Sequence, residues 1–113
     1  MKKLLLILLL LLSSFAFSQN ECDEDICVIQ FNAGWNEANS VDWLDKLTDC
    51  GIMNIDIATD VEAQSKYEIV VVPTIIVFNG KEVKRFQADI SFSMKATKKE
   101  VQAAVDDILM SDF

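Results

Sequence analysis

The stretch Phe31-Asn32-Ala33-Gly34-Trp35-Asn36-Glu37-Ala38-Asn39 decides how this chain reads. It closes a run of β-branched and aromatic residues, Ile26 to Asn32 with Val28, Ile29 and Phe31, which predicts a strand. It opens a segment in which Val41, Leu44 and Leu47 share one helical face, with Trp43 beside them. Asn36 or Asn39 suits the N-cap of a helix running to about Asp49, because an Asn side chain accepts from the free amides of a first turn. Cys50-Gly51 would end that helix, with Gly just past the last turn. The stretch is thus a strand-to-helix junction that carries a tryptophan and amides but no thiol.

Beyond it, Ile52 to Ile57 is a second apolar strand. Thr59-x-x-Glu62 has capping-box spacing and predicts a short helix to about Tyr67. Val70 to Phe78 is strongly β-branched, with Pro73 inside it, and Asn79-Gly80 signals a two-residue hairpin. Lys81 to Gln87 should therefore return antiparallel, and Ala88 to Lys95 should be a loop. Thr97-x-x-Glu100 is a second capping-box match, followed by Val101, Ala104, Val105 and Ile108 at helical spacing through Leu109. The order is βαβαββα: an α/β domain with a central mixed four-stranded sheet flanked by helices, its first strands parallel and its last pair a hairpin.

The 113-residue chain is long enough for one small domain, and its first segment stands apart. Lys2 and Lys3 precede unbroken Leu and Ile from Leu4 to Leu12, and Ala16 and Ser18 sit at −3 and −1 to a cut before Gln19. Residues 1–18 read as a secretory signal peptide, 19–25 as an acidic lead-in and 26–113 as the domain. The apolar run is short for the ~20 residues a spanning helix needs. Cleavage takes two lysines and no acids, so the net charge moves from −8 to −10. Such a domain repels nucleic acid and anionic membrane surfaces. The chain has no His, which excludes imidazole bases and His metal sites. No EF-hand spacing supports calcium, and no metal or cofactor is expected.

The element order and several residues resemble the thioredoxin family, over about Ile26 to Leu109, without that fold's extra N-terminal strand and helix. Phe31, Ala33 and Trp35 match, then Ile55-Asp56, Tyr67 and Ile69, Val72-Pro73-Thr74 and Phe78-Asn79-Gly80. The resemblance implies a cis Pro73 facing the junction. It also implies a Cys-x-x-Cys pair where this chain has Asn36, Glu37, Ala38 and Asn39. An amide cannot replace the thiolate that attacks a disulfide. Other departures go the same way. Gln30 stands for the family's buried acid, Ile52 for a nearby Lys, and Gln87 or Ala88 for a late-loop glycine.

Three cysteines remain, Cys22, Cys27 and Cys50, so one internal bridge and one free thiol are expected in an oxidising compartment. Strand polarity puts all three near the edge opposite the junction. The expected bridge is Cys22–Cys50, with Cys27 buried and free. The alternatives are Cys27–Cys50 and a relocated redox pair, Cys22 with Cys27.

The family binds extended peptide against the backbone before the cis proline, a form of strand addition. By resemblance, Val72 and Pro73 would offer that backbone here, Trp35 a platform, and Asn36 and Asn39 donors and acceptors. The apolar Ile90–Met94 stretch would cover part of the same surface or meet a partner. The chain therefore reads as an exported, redox-inactive thioredoxin-like domain, a module for protein or extended peptide or a chaperone-like one. It has no nucleic acid partner and no membrane contact after cleavage. The competing reading is a thiol–disulfide oxidoreductase of redox homeostasis that uses Cys22, Cys27 or Cys50.

Overall fold

Seven residues, Ile26–Asn32, form β1, and every one of them is buried. The structure is a computed structural model that describes Cys22 and residues 24–111. The expected signal peptide at 1–18, most of the lead-in at 19–25 and the last two residues of the expected domain lie outside the described residues. β1 is central in the sheet, whose order is β2-β1-β3-β4, with β2 at Gly51–Asp56, β3 at Thr74–Asn79 and β4 at Glu82–Gln87. β1 pairs parallel with β2 and antiparallel with β3, and β3 pairs antiparallel with β4. This is the mixed four-stranded sheet that the strand pattern implies.

The two faces of β1 follow its alternation. Ile26 and Val28 point to one side, where they pack with Leu44, Leu47, Ile75, Val77 and helix α2 (Lys98–Ser111). α2 contributes Val101, Ala104, Val105 and Ile108, the residues its sequence period selects. Cys27, Ile29 and Phe31 point to the other side, with Ile69, Val72 and Ile76. Helix α1 (Val61–Lys66) ends on that side, its C-cap Tyr67 packing on the same core. Arg85 ties β4 to the end of α1, donating 2.6 Å and 2.9 Å bonds to the Tyr67 and Glu68 carbonyls while gripping Glu82.

Local signals vary in accuracy. Thr97 and Glu100 form the reciprocal capping box, each side chain accepting the other's amide at 3.3 Å. α1 is capped by Asp60 rather than Thr59, with Asp60 accepting from the Ala63 amide at 3.2 Å. The hairpin turns through Asn79, Gly80 and Lys81, with Gly80 at φ +80° and a bulge at Val77/Phe78. β3 runs through Asn79, so the two connecting residues are Gly80 and Lys81, one position later than the Asn79-Gly80 signal.

The helix expected from Asn36 or Asn39 to Asp49 does not form. Short 3-10 turns replace it, Gly34–Asn39, kinked at Asn36, and Leu44–Lys46, with Ser40 and Leu47 extended. The buried side chains of β1 account for this. Gln30 Oε1 accepts the Val41 amide at 3.0 Å, and Asn32 Nδ2 donates to Ser40 Oγ at 2.7 Å. These bonds take backbone and side-chain groups that a helix would have to realign, in a segment rich in Asn, Ser, Asp and Thr, which favour turns over helix interiors. Trp43 still packs against the α2-side core.

Candidate functional site

The strand-to-turn junction meets two other segments at the end of β1, the Val72–Pro73 approach to β3 and the loop after β4. Asn36 joins all three. The residue is 5 % exposed. Nδ2 faces Asn32 Oδ1 at 3.1 Å, the Phe92 carbonyl at 3.3 Å and the Val72 carbonyl at 3.4 Å. Two amide hydrogens serve three oxygens, so the two long contacts are the weaker ones. Oδ1 accepts from Asn39 Nδ2 at 2.8 Å, and Asn32 Nδ2 returns a 3.1 Å bond to the Asn36 carbonyl. These partners also fix which end of the Asn36 amide is nitrogen.

The Val72–Pro73 peptide is cis, and the Pro73 carbonyl accepts the Ala88 amide at 3.0 Å. The 89–93 loop is organised by Asp89. Its carboxylate accepts from the Ser91 amide and hydroxyl and from the Ser93 amide, and it pairs with Lys95 at 3.4 Å. The Ser91 hydroxyl foremost, then the Ser91 and Ser93 amides and Lys95, hold the carboxyl down to about 2. The loop carries Phe92 at φ +63°, a left-handed conformation rare for an aromatic residue. That conformation accompanies a Phe92 carbonyl on Asn36 and a ring edge-on to Trp35, with centroids 5.3 Å apart.

Of the five residues expected to line a binding groove, Trp35 and Asn39 are exposed, while Asn36, Val72 and Pro73 are buried. The Val72 carbonyl meets Asn36, a group of the chain itself. What remains outside is apolar: Trp35 is 68 % exposed, Phe92 40 % and Ile90 98 %. The Ile90–Met94 stretch does approach the junction, through Phe92. Sequence reading missed Asn32 and Asp89. The only signal for Asp89 is the Asp-x-Ser-x-Ser spacing, which suits side-chain turns onto nearby amides.

Beside the junction lies a cleft of about 540 Å³, lined by Gln30, Glu37, Ser40, Asp42, Asn54 and Asp56 among others. It adjoins the non-helical connection after β1. Gln30 is buried there and donates to Asn54 Oδ1 at 2.9 Å. Asp56 accepts the Gly34 amide at 3.3 Å and the Ala58 amide at 2.9 Å.

The cysteines stand at the other end of β1. Cys22 is bonded to Cys27, with Cα atoms 6.3 Å apart, and Cys50 is free. This corrects the expected Cys22–Cys50 bridge. Being near one edge is not enough, because the sheet separates the thiols. Cys27 and Cys22 belong to the α1-side core, whereas Cys50 packs on the α2-side core. Gly51, the parallel partner of Cys27, makes room: a Cβ there would lie 2.6 Å from Cys22 Sγ. Burial foremost, then Asp49 and Glu24, push the Cys50 thiol up, so it is a poor nucleophile. Five residues of strand separate Cys27 from Asn32, roughly 17 Å. Among the described residues no cluster of His, Cys, Asp and Glu could hold a metal ion.

Several solved thioredoxins share this architecture. Thioredoxin from Schistosoma mansoni superposes with a TM-score of 0.61 at 19 % identity, over 83 % of this chain and 86 % of that one. A single-site mutant of the thioredoxin from Halobacterium salinarum gives 0.59 at 22 % identity, over 75 % of each chain. The fold is thioredoxin-like. Plasmodium falciparum thioredoxin adds 0.58 at 16 % identity, over 75 % of this chain and 83 % of that one. No family model and no curated protein matches the sequence. At these identities the likeness is one of fold. Within this thioredoxin-like domain, the junction after β1 holds an amide network of Asn32, Asn36 and Asn39.

Proposed function

We propose that this chain is an exported, non-catalytic thioredoxin-like domain that binds protein or peptide through the Trp35–Phe92 face. Asn36 carries the reading. Thiol–disulfide exchange starts from a thiolate, and here a buried amide bonded to Asn32, Val72 and Phe92 fills the position. The same network holds two aromatic rings outward, the residue class most enriched where proteins meet. Contact therefore falls on the outer face of the junction, since the backbone before Pro73 already has partners. Lys2-Lys3, the apolar run to Leu12 and the bonded cysteines support export.

A peptide array probed with the purified protein tests this. Binding should disappear in Trp35→Ala and persist in Cys22→Ser and Cys27→Ser. Binding that follows the cysteines and ignores Trp35 would overturn it.

One observation favours the oxidoreductase reading instead. Cys22 is only half-buried and lines a cleft of about 680 Å³ with Lys66, Tyr67, Phe78 and Lys81. Attack on Cys22, however, would expel a Cys27 thiolate into a buried, apolar site, where it is a poor leaving group.

A further inference from the structure

We infer that the partner is a basic, apolar polypeptide segment, one side chain resting on Trp35 and Phe92 and a neighbouring Lys or Arg entering the cleft beside Gly34. This rests on the contact face just proposed. The apolar part of the surface is the ring pair and Ile90, which is almost wholly exposed. The charged part adjoins it through the chain. Gly34 lines the cleft and Trp35 follows it, and Glu37, which also lines it, comes two residues later, just past the kink at Asn36. Three carboxylates, Glu37, Asp42 and Asp56, line the cleft together with the amides of Gln30 and Asn54. Among the described residues no Lys or Arg lines it, and the sequence has none from Ile26 to Asp45.

The basic residue nearest the ring pair in sequence, Lys95, is paired with Asp89. Glu37 and Asp42 make no ion pair among the described residues, and Asp56 spends one oxygen on backbone amides. A surface with an apolar centre and one sign of charge at its rim selects the opposite charge and repels its own. A second copy of this chain, with net charge −8, fits the rim badly. A Lys or Arg stem suits such an edge, because its methylenes pack on apolar surface while its head group reaches the carboxylates.

The test uses three fluorescent peptides with one shared apolar core, flanked by Lys, by Ser or by Glu. They are titrated by anisotropy against wild type, Trp35→Ala and the double variant Glu37→Gln/Asp42→Asn. These positions are exposed, and thermal melts confirm that each variant folds. The wild type should bind the Lys-flanked peptide at least about 10-fold tighter than the Glu-flanked one. Each removed carboxylate should cut that preference by about 2–5-fold, as expected of rim charges, and salt should erase it. Equal wild-type binding of all three peptides, lost in Trp35→Ala, would overturn the charge inference and leave the contact face standing. No binding of any peptide, or binding indifferent to Trp35→Ala, would overturn the contact face and the inference with it. A dimer in sedimentation velocity that Trp35→Ala dissolves would identify a second copy as the occupant, and would also overturn the inference.

Discussion

Replacing Asn36 should loosen the junction far more than an ordinary polar-to-Ala change. In Asn36→Ala, Asn32 Oδ1 loses its 3.1 Å donor while still buried, and an orphaned buried acceptor costs about 1–3 kcal/mol. The contacts to Phe92 and Val72 are 3.3 and 3.4 Å, beyond the usual range, and add roughly a few tenths each. Asn39 is exposed and rebonds to water. The sum is about 2–3 kcal/mol, or on the order of 10–20 °C in Tm for a domain of this size. Urea unfolding at constant m-value measures it. Asn36→Asp separates the network from simple packing. It keeps the acceptor for Asn39 but turns a carboxylate oxygen toward three oxygens, so at neutral pH it should be less stable than Asn36→Ala. Its folded pKa would be raised, so the penalty is absent below about pH 4 and grows as pH rises toward that folded pKa. A loss below about 0.5 kcal/mol in Asn36→Ala, or an Asn36→Asp no worse than Ala at neutral pH, would refute the amide staple.

Three further outcomes follow from the same contacts. Gly51→Ala places a Cβ 2.6 Å from a bonded Cys22 sulfur. It should cost about 1–3 kcal/mol in the oxidised protein and less in a Cys22→Ala background, where only the 3.0 Å approach to Glu24 remains, a non-additivity visible in a double-mutant cycle. Asp89 has its carboxyl lowered from 3.8 to about 2 in the folded state. Its hold on the 89–93 loop should therefore be complete above about pH 4 and be lost as pH falls through about 2. NMR shifts of Phe92 and Trp35 should report this, and Asp89→Asn should abolish the titration. Arg85→Ala should cost about 0.5–1.5 kcal/mol, because it removes the bonds to the Tyr67 and Glu68 carbonyls, the second of which is exposed and rebonds to water. Glu82→Gln, which removes only the exposed ion pair, should cost less than about 1 kcal/mol by thermal melt.

What could be read in advance was local. The period of Val101, Ala104, Val105 and Ile108 and the Thr97–Glu100 box define α2. The β-branched runs and Asn79-Gly80 define the sheet and its hairpin. What escaped depends on residues far apart in sequence. Val41, Leu44 and Leu47 do keep a helix-like spacing, and Leu44 and Leu47 are buried. Yet the backbone between them is set by Gln30 and Asn32, two polar side chains of a strand. The disulfide depends on the faces of the sheet as well as its edges. The alternation of β1 already puts Cys27 with Ile29 and Phe31, opposite the side where Cys50 packs. Asn36 looks like a surface residue, and only the meeting of three segments reveals it as interior.

The short loop closed by Cys22–Cys27 constrains the unfolded chain by about 2 kcal/mol on the chain-entropy argument. That is less than a bridge to Cys50 would give, but useful in a small core. In this reading the bridge fastens the chain ahead of β1 at one end of the strand. At the other end, the amide network presents Trp35 and Phe92.

Dithiol-coupled reduction of insulin by the purified protein tests redox silence most directly, run beside Cys22→Ser, Cys27→Ser and Cys50→Ser. A non-catalytic domain, with Asn36 and Asn39 and no thiol at the junction, should give no rate above buffer in any of the four. A wild-type rate that vanishes with Cys22→Ser or Cys27→Ser would contradict it and move the chemistry to the far end of β1.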